Sequence, residues 1–278
     1  MTSEKQAATS MMTSGKSLAI SVGVIAIISF VGTGKATAEQ PPLPTVLAKR
    51  GAIILDDDGT TERGNKTVTD LGNGIGLKSA LGSWQRSTPQ SNVWRSTWKP
   101  GMGHPPVISY PGVKARNLVV EVTFRYGAAT EPWHEQFLRI AADNRPQLKG
   151  HILSAWVNPK GQYTETGIVL EHVGKRDEKT GSRGFVLDHQ PINTEVETWY
   201  TAVLEIVDDE ALFRVGDHIA YTRADQINTP KNLVSLTLGT TWHEIKRVRI
   251  WHADANPVWE TKKNTTLKLR KPFAVRRR

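Results

Sequence analysis

Three ionisable residues stand in strand-like runs, where their side chains could face a common ligand. Glu171 lies in GIVLEHV, Asp188 lies in GFVLDHQ, and His151 opens HILSAWV. Two carboxyl groups are the minimum for most glycoside hydrolysis, one as acid and one as base or nucleophile. We therefore take His151, Glu171 and Asp188 as candidate catalytic residues. The alternative is that each is the polar face of a half-solvated strand, because no run carries the E-x-D-x-x-E series that would line one cleft.

Tryptophan is the second unusual feature, since the chain has nine tryptophans against five tyrosines and six phenylalanines. An indole face can stack on the apolar face of a sugar ring. The tripeptide Trp-His-Glu occurs at 133–135 and again at 242–244. We take Trp133, Trp156 and Trp242 as candidate carbohydrate-binding platforms. Burial in a core is the alternative for each indole, and chance is the alternative for the repeated tripeptide.

Signatures of metal, nucleotide and thiol chemistry are missing from the sequence. The eight histidines show no H-E-x-x-H or H-x-H spacing, and the chain has no cysteine, which excludes disulfides and cysteine-ligated zinc. Asp56-Asp57-Asp58-Gly59 lacks the alternating ligands of an EF-hand loop. A G-x-S-x-G elbow, a P-loop and a Rossmann fingerprint are also absent. We therefore predict no metal site and no cofactor from these residues.

The elements that must position the candidates are strands. In NLVVEVTFR, residues 117–125, apolar residues at every second position alternate with Glu, Thr and Arg, and similar runs recur to residue 255. Turn segments such as NPKGQ and NTPKN separate them. Many short strands at this spacing predict an all-β fold, a two-sheet antiparallel jelly-roll sandwich over residues 51–261. We expect residues 39–50, which are rich in proline, to form an extended and exposed linker.

The N-terminus is typical of an export signal. Lys5 and Lys16 precede an apolar stretch of about 14 residues, Leu18 to Val31, and the tripeptide Ala-Thr-Ala ends at Ala38. This length suits a signal peptide better than a membrane span of about 20 residues. We predict a signal peptide over residues 1–38, cleaved after Ala38, with an uncleaved anchor as the alternative. The protein would then be exported from a bacterial cell, to the periplasm, the cell surface or the medium, with no transmembrane span after cleavage.

The net charge of +9 is concentrated at the two ends of the chain. Residues 1–38 contribute +2 and residues 262–278 contribute +8, which leaves −1 for residues 39–261. A neutral body argues against nucleic acid as a partner. The tail at 262–278 is expected to be disordered and attracted to anionic cell-envelope polymers. A solvated end without a dedicated partner is the alternative.

The order of the later runs resembles a known family. A Trp-led run, ETWYTAVLEIV, a hairpin with a Gly-Asp tip, and then INTPKNLVSLTLGTTWHEIKRVRIWHADANPVWE resemble the C-terminal half of exported bacterial concanavalin A-like proteins. These include the 3-keto-disaccharide hydrolase-like family, and GHILSAWVNPKGQ is similar to a related uncharacterised set. The resemblance covers about residues 50–260. The hairpin reads Gly216-Asp217 where the family has Asp-Gly, and no catalytic motif is carried over.

The resemblance implies a concanavalin A-like jelly roll with a carbohydrate-associated role. It also places Trp199 at the start of a core strand and allows for a structural calcium ion in the sandwich. We expect a protein that binds glycans or, if it is an enzyme, a glycoside hydrolase or lyase acting on 3-keto-glycosides or other glycosides. The alternative is a non-catalytic envelope scaffold or adhesion module that docks through its basic tail. Convergence of the tryptophans and carboxylates on one sheet would favour the first hypothesis, and their dispersal into the core would favour the second.

Overall fold

The computed structural model describes residues 41–64, 66–145, 151–161, 163–173, 184–268 and 270. The predicted signal peptide and most of the last ten residues lie outside this part of the chain, so both remain predictions. No helix among the described residues is long and apolar enough to cross a membrane.

Two eight-stranded antiparallel sheets form a sandwich, which confirms the predicted fold class. Sheet A contains, in spatial order, β14 (His218–Arg223), β13 (Glu210–Val215), β12 (Tyr200–Val207), β7 (Leu118–Tyr126), β16 (His243–Ala255), β5 (Trp94–Thr97) and β4 (Ser83–Arg86), with β1 (Ala48–Asp57) paired to β16. Sheet B contains β11 (Gly184–Gln190), β10 (Gly167–Val173), β9 (His151–Asn158), β8 (Leu138–Asp143), β15 (Lys231–Leu238), β6 (Val107–Ala115), β3 (Gly76–Leu81) and β2 (Thr69–Asp70). A 3₁₀ helix, Asp225–Asn228, and helix α1, Trp259–Leu267, complete the described elements.

The main core lies between the two sheets and follows the period-two pattern of the sequence. Val120, Val122 and Phe124 on β7 are fully buried in it, together with Ile140 of β8 and Leu236 of β15. Each such side chain stabilises the fold by about 1.5–3 kcal/mol through removal of apolar surface from water. The alternation therefore predicts correctly which side of β7 faces inward.

The hairpins of sheet A reverse where the sequence predicts. β12 ends at Val207 and β13 begins at Glu210, with Asp208 at a positive φ of 51°. The next reversal uses Gly216 at a φ of 56°. The expectation for Trp199 is wrong, because Trp199 precedes the strand and is 37% exposed. Tyr200 takes the first strand position instead and packs its ring 6.1 Å from that of Phe124.

The outer face of sheet A is covered by the N-terminal strap, residues 43–48. The predicted exposed linker is therefore wrong for this part of the chain, since the last two strap residues are buried. Buried carboxylates on sheet A hold the strap. Glu205 accepts hydrogen bonds from the backbone N–H groups of Val46 at 2.9 Å and Ala48 at 2.8 Å, and Glu121 accepts one from Leu43 at 2.9 Å.

Helix α1 lies beside the strap. It includes residues 262–267, the first six residues of the basic tail, which are helical where we expected disorder. Trp259 at the start of the helix is buried in an apolar cluster with Trp251 of β16, and Leu267 packs against the same cluster. The Trp259 Nε1–H group donates to Glu210 Oε2 at 3.1 Å, and Lys263 forms an ion pair with the same carboxylate. These contacts on sheet A order the beginning of the basic tail.

Candidate functional site

A row of side chains crosses the outer face of sheet B, and the four at its centre are small. Residues that pair across antiparallel strands point to the same face, so the register of the sheet defines this row. The row, here called the groove floor, consists of Lys78, Ser109, Ser235, Ala141, Ser154 and Glu171. It crosses six strands, which at the usual strand spacing is about 24 Å. A cavity of about 420 Å³ lies over the part between β3 and β9.

One wall of this groove is built from Thr237, Arg139 and Trp156 on β15, β8 and β9. Arg139 Nη2 donates to Thr237 Oγ1 at 2.8 Å, and the guanidinium lies 5.1 Å from the centre of the Trp156 ring. Trp156 Nε1–H donates to Glu171 Oε2 at 2.9 Å. Burial lowers the pKa of the Arg139 guanidinium. The indole therefore holds a cation and a carboxylate in fixed positions at the groove.

The opposite wall carries a histidine oriented by a buried acid. His151 Nδ1 lies 2.8 Å from Asp143 Oδ2, and the Asp143 side chain is 1% exposed. A carboxylate accepts from Nδ1–H, which leaves Nε2 of a neutral imidazole as an acceptor. Arg145 Nε lies 4.0 Å from the same carboxylate oxygen, and its side chain is 55% exposed. This wall combines an oriented imidazole with a solvent-facing cation.

Three buried polar atoms at the groove have no hydrogen-bond partner among the described residues. They are Ser154 Oγ on the floor, Asp143 Oδ1 beneath one wall and Arg139 Nε in the other wall. Buried polar groups in folded proteins are nearly always paired with protein, water or ligand. The three atoms therefore mark a place where a hydroxyl-rich molecule can be held by hydrogen bonds.

The structure brings together three of the six residues predicted from the sequence. His151, Trp156 and Glu171 all belong to the outer face of sheet B. Trp156 is only 5% exposed and packs against Phe137, so its indole supports the groove and offers no open stacking face. The sequence favoured a platform because tryptophans are in excess and a sandwich offers a broad sheet, and neither signal reveals that Trp156 belongs to an apolar cluster on the outer face.

Asp188 does not join the groove. It lies opposite Leu170, whose side chain is in the main core, because a bulge shifts the register between β10 and β11. Its Oδ2 accepts the backbone N–H of Tyr221 at 2.7 Å and forms an ion pair with Arg270. Asp188 therefore links the edge of sheet B to the edge of sheet A.

Trp133 and Trp242 also lie outside the residues that line the groove cavity. Trp133 is half-buried in the loop before β8, with its ring 5.6 Å from that of Trp98. Trp242 is half-buried under the Arg95 guanidinium, which lies 4.5 Å from the ring centre. Neither indole contributes to the site built around His151.

The two Trp-His-Glu tripeptides have different structural roles. His134 accepts the backbone N–H groups of Thr130 at 3.0 Å and Glu131 at 3.1 Å, and so closes its own loop. Glu244 is fully buried on β16 and binds Arg95 at 2.7 Å. Although burial opposes ionisation, hydrogen bonds from Ser87 and two arginines hold the pKa of Glu244 below its usual value. The repeat does not mark a repeated site.

Six of the nine tryptophans have a common setting that composition alone could not reveal. The main core between the sheets contains no fully buried tryptophan among the described residues. Six indoles instead lie under a cationic side chain, at ring-centre distances of 4.5 to 5.7 Å for the nearest cation: Trp94, Trp156, Trp199, Trp242, Trp251 and Trp259. Cation–π contacts of this kind stabilise partly exposed surfaces by about 0.5–2 kcal/mol each.

The acidic run at 56–58 lines a second cavity, of about 330 Å³. Asp57 accepts from Arg63 Nη2 at 2.8 Å and from the Tyr110 hydroxyl at 2.6 Å, inside the protein. Asp56 forms an ion pair with Arg247, and Asp58 caps its own turn. These acids are occupied by structural partners. The described ranges contain no group of three His, Asp or Glu side chains placed to bind a metal ion.

Sequence reasoning missed Arg139, Asp143 and the serines of the groove floor. Arg139 and Asp143 alternate with apolar residues in FLRIAAD, and that period-two signal could have identified both as outward-facing. The serines are found only through the register, because β3, β6, β15 and β8 are adjacent in space but distant in sequence.

Comparison with known proteins gives matches to solved structures alone: no family model matches the sequence, and no curated protein matches it. Carbohydrate binding module CBM66 from Bacillus subtilis is 11% identical, with 64% of this chain and 97% of that chain covered and a TM-score of 0.45. The CBM2 module of the evolved Dit of Lactobacillus casei BL23 phage J-1 is 12% identical, with 76% and 99% covered and a TM-score of 0.48. Chicken galectin 2 is 8% identical, with 51% and 96% covered and a TM-score of 0.37.

Proposed function

We propose that the protein binds a carbohydrate chain along the groove on the outer face of sheet B. The observation that carries this proposal is the groove floor, in which small side chains on four adjacent strands lie between Lys78 and Glu171 and are bounded by polar walls. An extended ligand can lie across such a row, and a compact ligand would fill only part of its length. The floor carries no charge between Lys78 and Glu171, and its serines can exchange hydrogen bonds.

The chemistry of the groove matches that of a polyhydroxylated chain. Serine hydroxyls on the floor can donate and accept, as sugar hydroxyls can. Ser154 Oγ and Asp143 Oδ1, which are buried beneath the groove, leave two further hydrogen-bonding positions unfilled among the described residues. Arg139 and His151 are planar groups whose orientations are fixed by neighbouring side chains, which lowers the entropy lost on binding.

Substitutions that fill the groove test the proposal. Wild-type protein, Ser109→Trp and Ser235→Trp are applied to a microarray of neutral and acidic polysaccharides, and Lys246→Trp serves as a control of equal bulk on sheet A. We expect wild type and the control to bind the same glycans and both groove variants to lose binding. Thermal melting establishes that each variant is folded, and Ser109, which is only half-buried, tolerates the larger side chain more easily. Absence of binding to every glycan, or unchanged binding by both folded groove variants, would overturn the proposal.

A second candidate function is cleavage of a glycosidic bond. The contact that favours it is the 2.8 Å pair between His151 and Asp143, since an imidazole oriented by a buried carboxylate is suited to proton transfer. The sequence resemblance to the 3-keto-disaccharide hydrolase-like family points to 3-keto-glycosides as the first substrates to test. We expect His151→Ala to abolish product formation and Asp188→Asn, outside the groove, to retain it. A wild-type protein that binds these glycosides and releases no product is a binding protein alone.

Export and envelope attachment are proposals that rest on the sequence. The signal-like segment at 1–38 supports export, and the basic tail supports docking on anionic envelope polymers. Because residues 262–267 belong to helix α1, the tail is tested by deleting residues 271–278 and leaving the helix intact. We expect the full chain in the envelope fraction and the deletion variant in the soluble exported fraction. Equal retention of both would assign attachment to another part of the protein.

A further inference from the structure

Cationic side chains are concentrated along the groove, although the body of the protein is nearly neutral. The cavity lining includes three cations, Lys78, Arg139 and Arg145, together with the imidazoles of His104 and His151, and no carboxylate appears among its described lining residues. Residues 39–261 as a whole carry a formal charge of −1. The two nearby acids, Asp143 and Glu171, are buried below the surface of the groove. A ligand in the groove therefore meets a positive surface on an otherwise neutral body.

Two of these cations are free to meet a ligand. Lys78 is exposed at one end of the groove floor, and none of the described residues forms an ion pair or hydrogen bond with its side chain. Arg145 is largely exposed and lies 4.0 Å from the Asp143 carboxylate at its nearest approach. Arg139, by contrast, is held between Thr237 and Trp156. Lys78 and Arg145 would therefore make the main contacts with an anionic ligand.

The separation of the two cations indicates the kind of anion. Lys78 is on β3 and Arg145 follows β8, and three strand spacings separate these strands in sheet B. This distance is about 14 Å across the sheet. A single phosphate or sulfate ion contacts both side chains only if the two converge on it, which an extended ligand does not require. A chain that carries anionic groups at intervals can contact both, and its hydroxyls can bind Ser109 and Ser235 between them.

We propose that the ligand of the groove is an acidic polysaccharide, whose carboxylate or sulfate groups contact Lys78 and Arg145. This inference rests on the proposed glycan-binding function and specifies its substrate class. A nucleic acid is the other regular polyanion, but single-stranded nucleic acids bind through open aromatic faces. Trp156 is the aromatic side chain of the groove walls, and it is buried. The groove is therefore better suited to sugar hydroxyls than to bases.

A matched pair of polymers tests the substrate class. Isothermal titration calorimetry compares oligomers of polygalacturonate with the same oligomers after reduction of the carboxyl groups to primary alcohols. Dextran sulfate and dextran form a second pair that separates sulfate from carboxylate recognition. We expect the charged member of at least one pair to bind at least tenfold more tightly, and to weaken as sodium chloride rises, because exposed charges are screened by salt.

Charge-removing variants locate the effect. Lys78→Gln and Arg145→Gln should each weaken binding of the charged oligomer by about fivefold. Lys246→Gln, an exposed cation on the other sheet, should leave the dissociation constant unchanged. Melting temperatures of all three variants should match wild type, since each changes a surface side chain.

The outcomes separate this inference from the function on which it rests. Equal binding of charged and neutral members, lost in Ser109→Trp, would refute the acidic ligand and leave the glycan-binding groove in place. Tight binding of a single-stranded DNA oligonucleotide at the groove, equal to that of polygalacturonate, would refute carbohydrate selectivity. Lack of binding to any oligomer or array glycan would refute the proposed function itself.

Discussion

The two outer faces of the sandwich are both built from strands in which apolar and polar residues alternate, but one face is covered and the other is open. On sheet A, the N-terminal strap and helix α1 cover the face, and each buried carboxylate beneath them has hydrogen-bond partners. On sheet B, small side chains leave an open groove, and Ser154 Oγ and Asp143 Oδ1 are buried without a partner in the described part of the chain. Polar residues on the first face stabilise the fold. Those on the second face line the groove that we propose as the binding site.

This difference shows why polar residues in strands are hard to interpret from a sequence. Glu205 and Glu171 both follow buried apolar residues in strands with the same period-two pattern. Glu205 binds the strap, whereas Glu171 ends the groove floor beside Trp156. What distinguishes them is the segment that covers each face, and that segment is distant in sequence. The comparison predicts that equivalent substitutions on the two faces will have different effects.

Removal of a buried indole beneath the strap should have the largest effect on stability. Trp251 lies in the apolar cluster of sheet A, and the Arg50 guanidinium lies 4.5 Å from its ring centre. Trp251→Ala should lower the free energy of unfolding by about 4 kcal/mol, through lost burial and the cavity left behind. Urea denaturation measures this change. Trp133→Ala, which truncates a half-exposed indole, should cost less than half as much, and equal losses would contradict the assignment.

The pH dependence of stability tests a residue in the interior of the sandwich, away from both outer faces. His243 is fully buried, and desolvation lowers its pKa from 6.5 to about 4. Between these two pH values the unfolded chain therefore binds a proton that the folded protein does not bind, and the stability of the fold falls as the pH drops from 6.5 to 4. The loss from this residue is about 3 kcal/mol. The free energies of unfolding at pH 7 and pH 4 are measured for wild type and for His243→Gln. The difference between the two pH values should be about 3 kcal/mol smaller in the variant. An equal pH dependence of the two proteins would contradict this role.

Loss of a carboxylate beneath the strap should have an intermediate effect. Glu205→Ala leaves the backbone N–H groups of Val46 and Ala48 without their acceptor, at a cost of about 2 kcal/mol. Burial raises the pKa of Glu205, so its ionised form is disfavoured. Glu205→Gln keeps an acceptor oxygen without the charge and should restore most of the stability. Limited proteolysis should cleave within residues 41–47 faster in the alanine variant alone, and equal cleavage of all three proteins would show that Glu205 does not hold the strap.

The smallest effect is expected on sheet B, with the opposite sign. Ser154→Ala removes a buried hydroxyl that has no hydrogen-bond partner in the described structure, so the variant should be unchanged or up to about 1 kcal/mol more stable. The same substitution should weaken glycan binding, because the hydroxyl is a proposed ligand contact. Urea denaturation and calorimetry measure both quantities. A destabilised variant would show that this hydroxyl supports the fold, as Glu205 does.

The fold was largely predictable from local patterns, and the site was predictable only in part. Period-two runs and turn residues identified the sandwich, the core side of β7 and the hairpin at Asp208. His151 and Glu171 were identified as outward-facing candidates, but their place on one groove depends on the order of strands in sheet B. Asp188 carries the same local signal and faces the other way, because a bulge in β11 cannot be seen in its sequence.

The covering segments were unpredictable for a related reason. The strap and the start of the basic tail have little periodicity of their own, and each is ordered by contacts with sheet A. Tryptophan burial was similarly hidden, since most indoles lie under arginine or lysine side chains from other strands. Such contacts depend on tertiary structure and leave no pattern in the sequence.

Histidine side-chain NMR tests the central claim, that the open face of sheet B is the binding face, most directly. His104 and His151 line the groove, whereas His218 and His252 are exposed on strands of sheet A. The protein is titrated at pH 7.5 with an oligosaccharide chosen from the microarray. We predict that the resonances of His104 and His151 shift on binding and that those of His218 and His252 do not. Shifts confined to His218 or His252, with the groove histidines unchanged at saturation, would contradict the account.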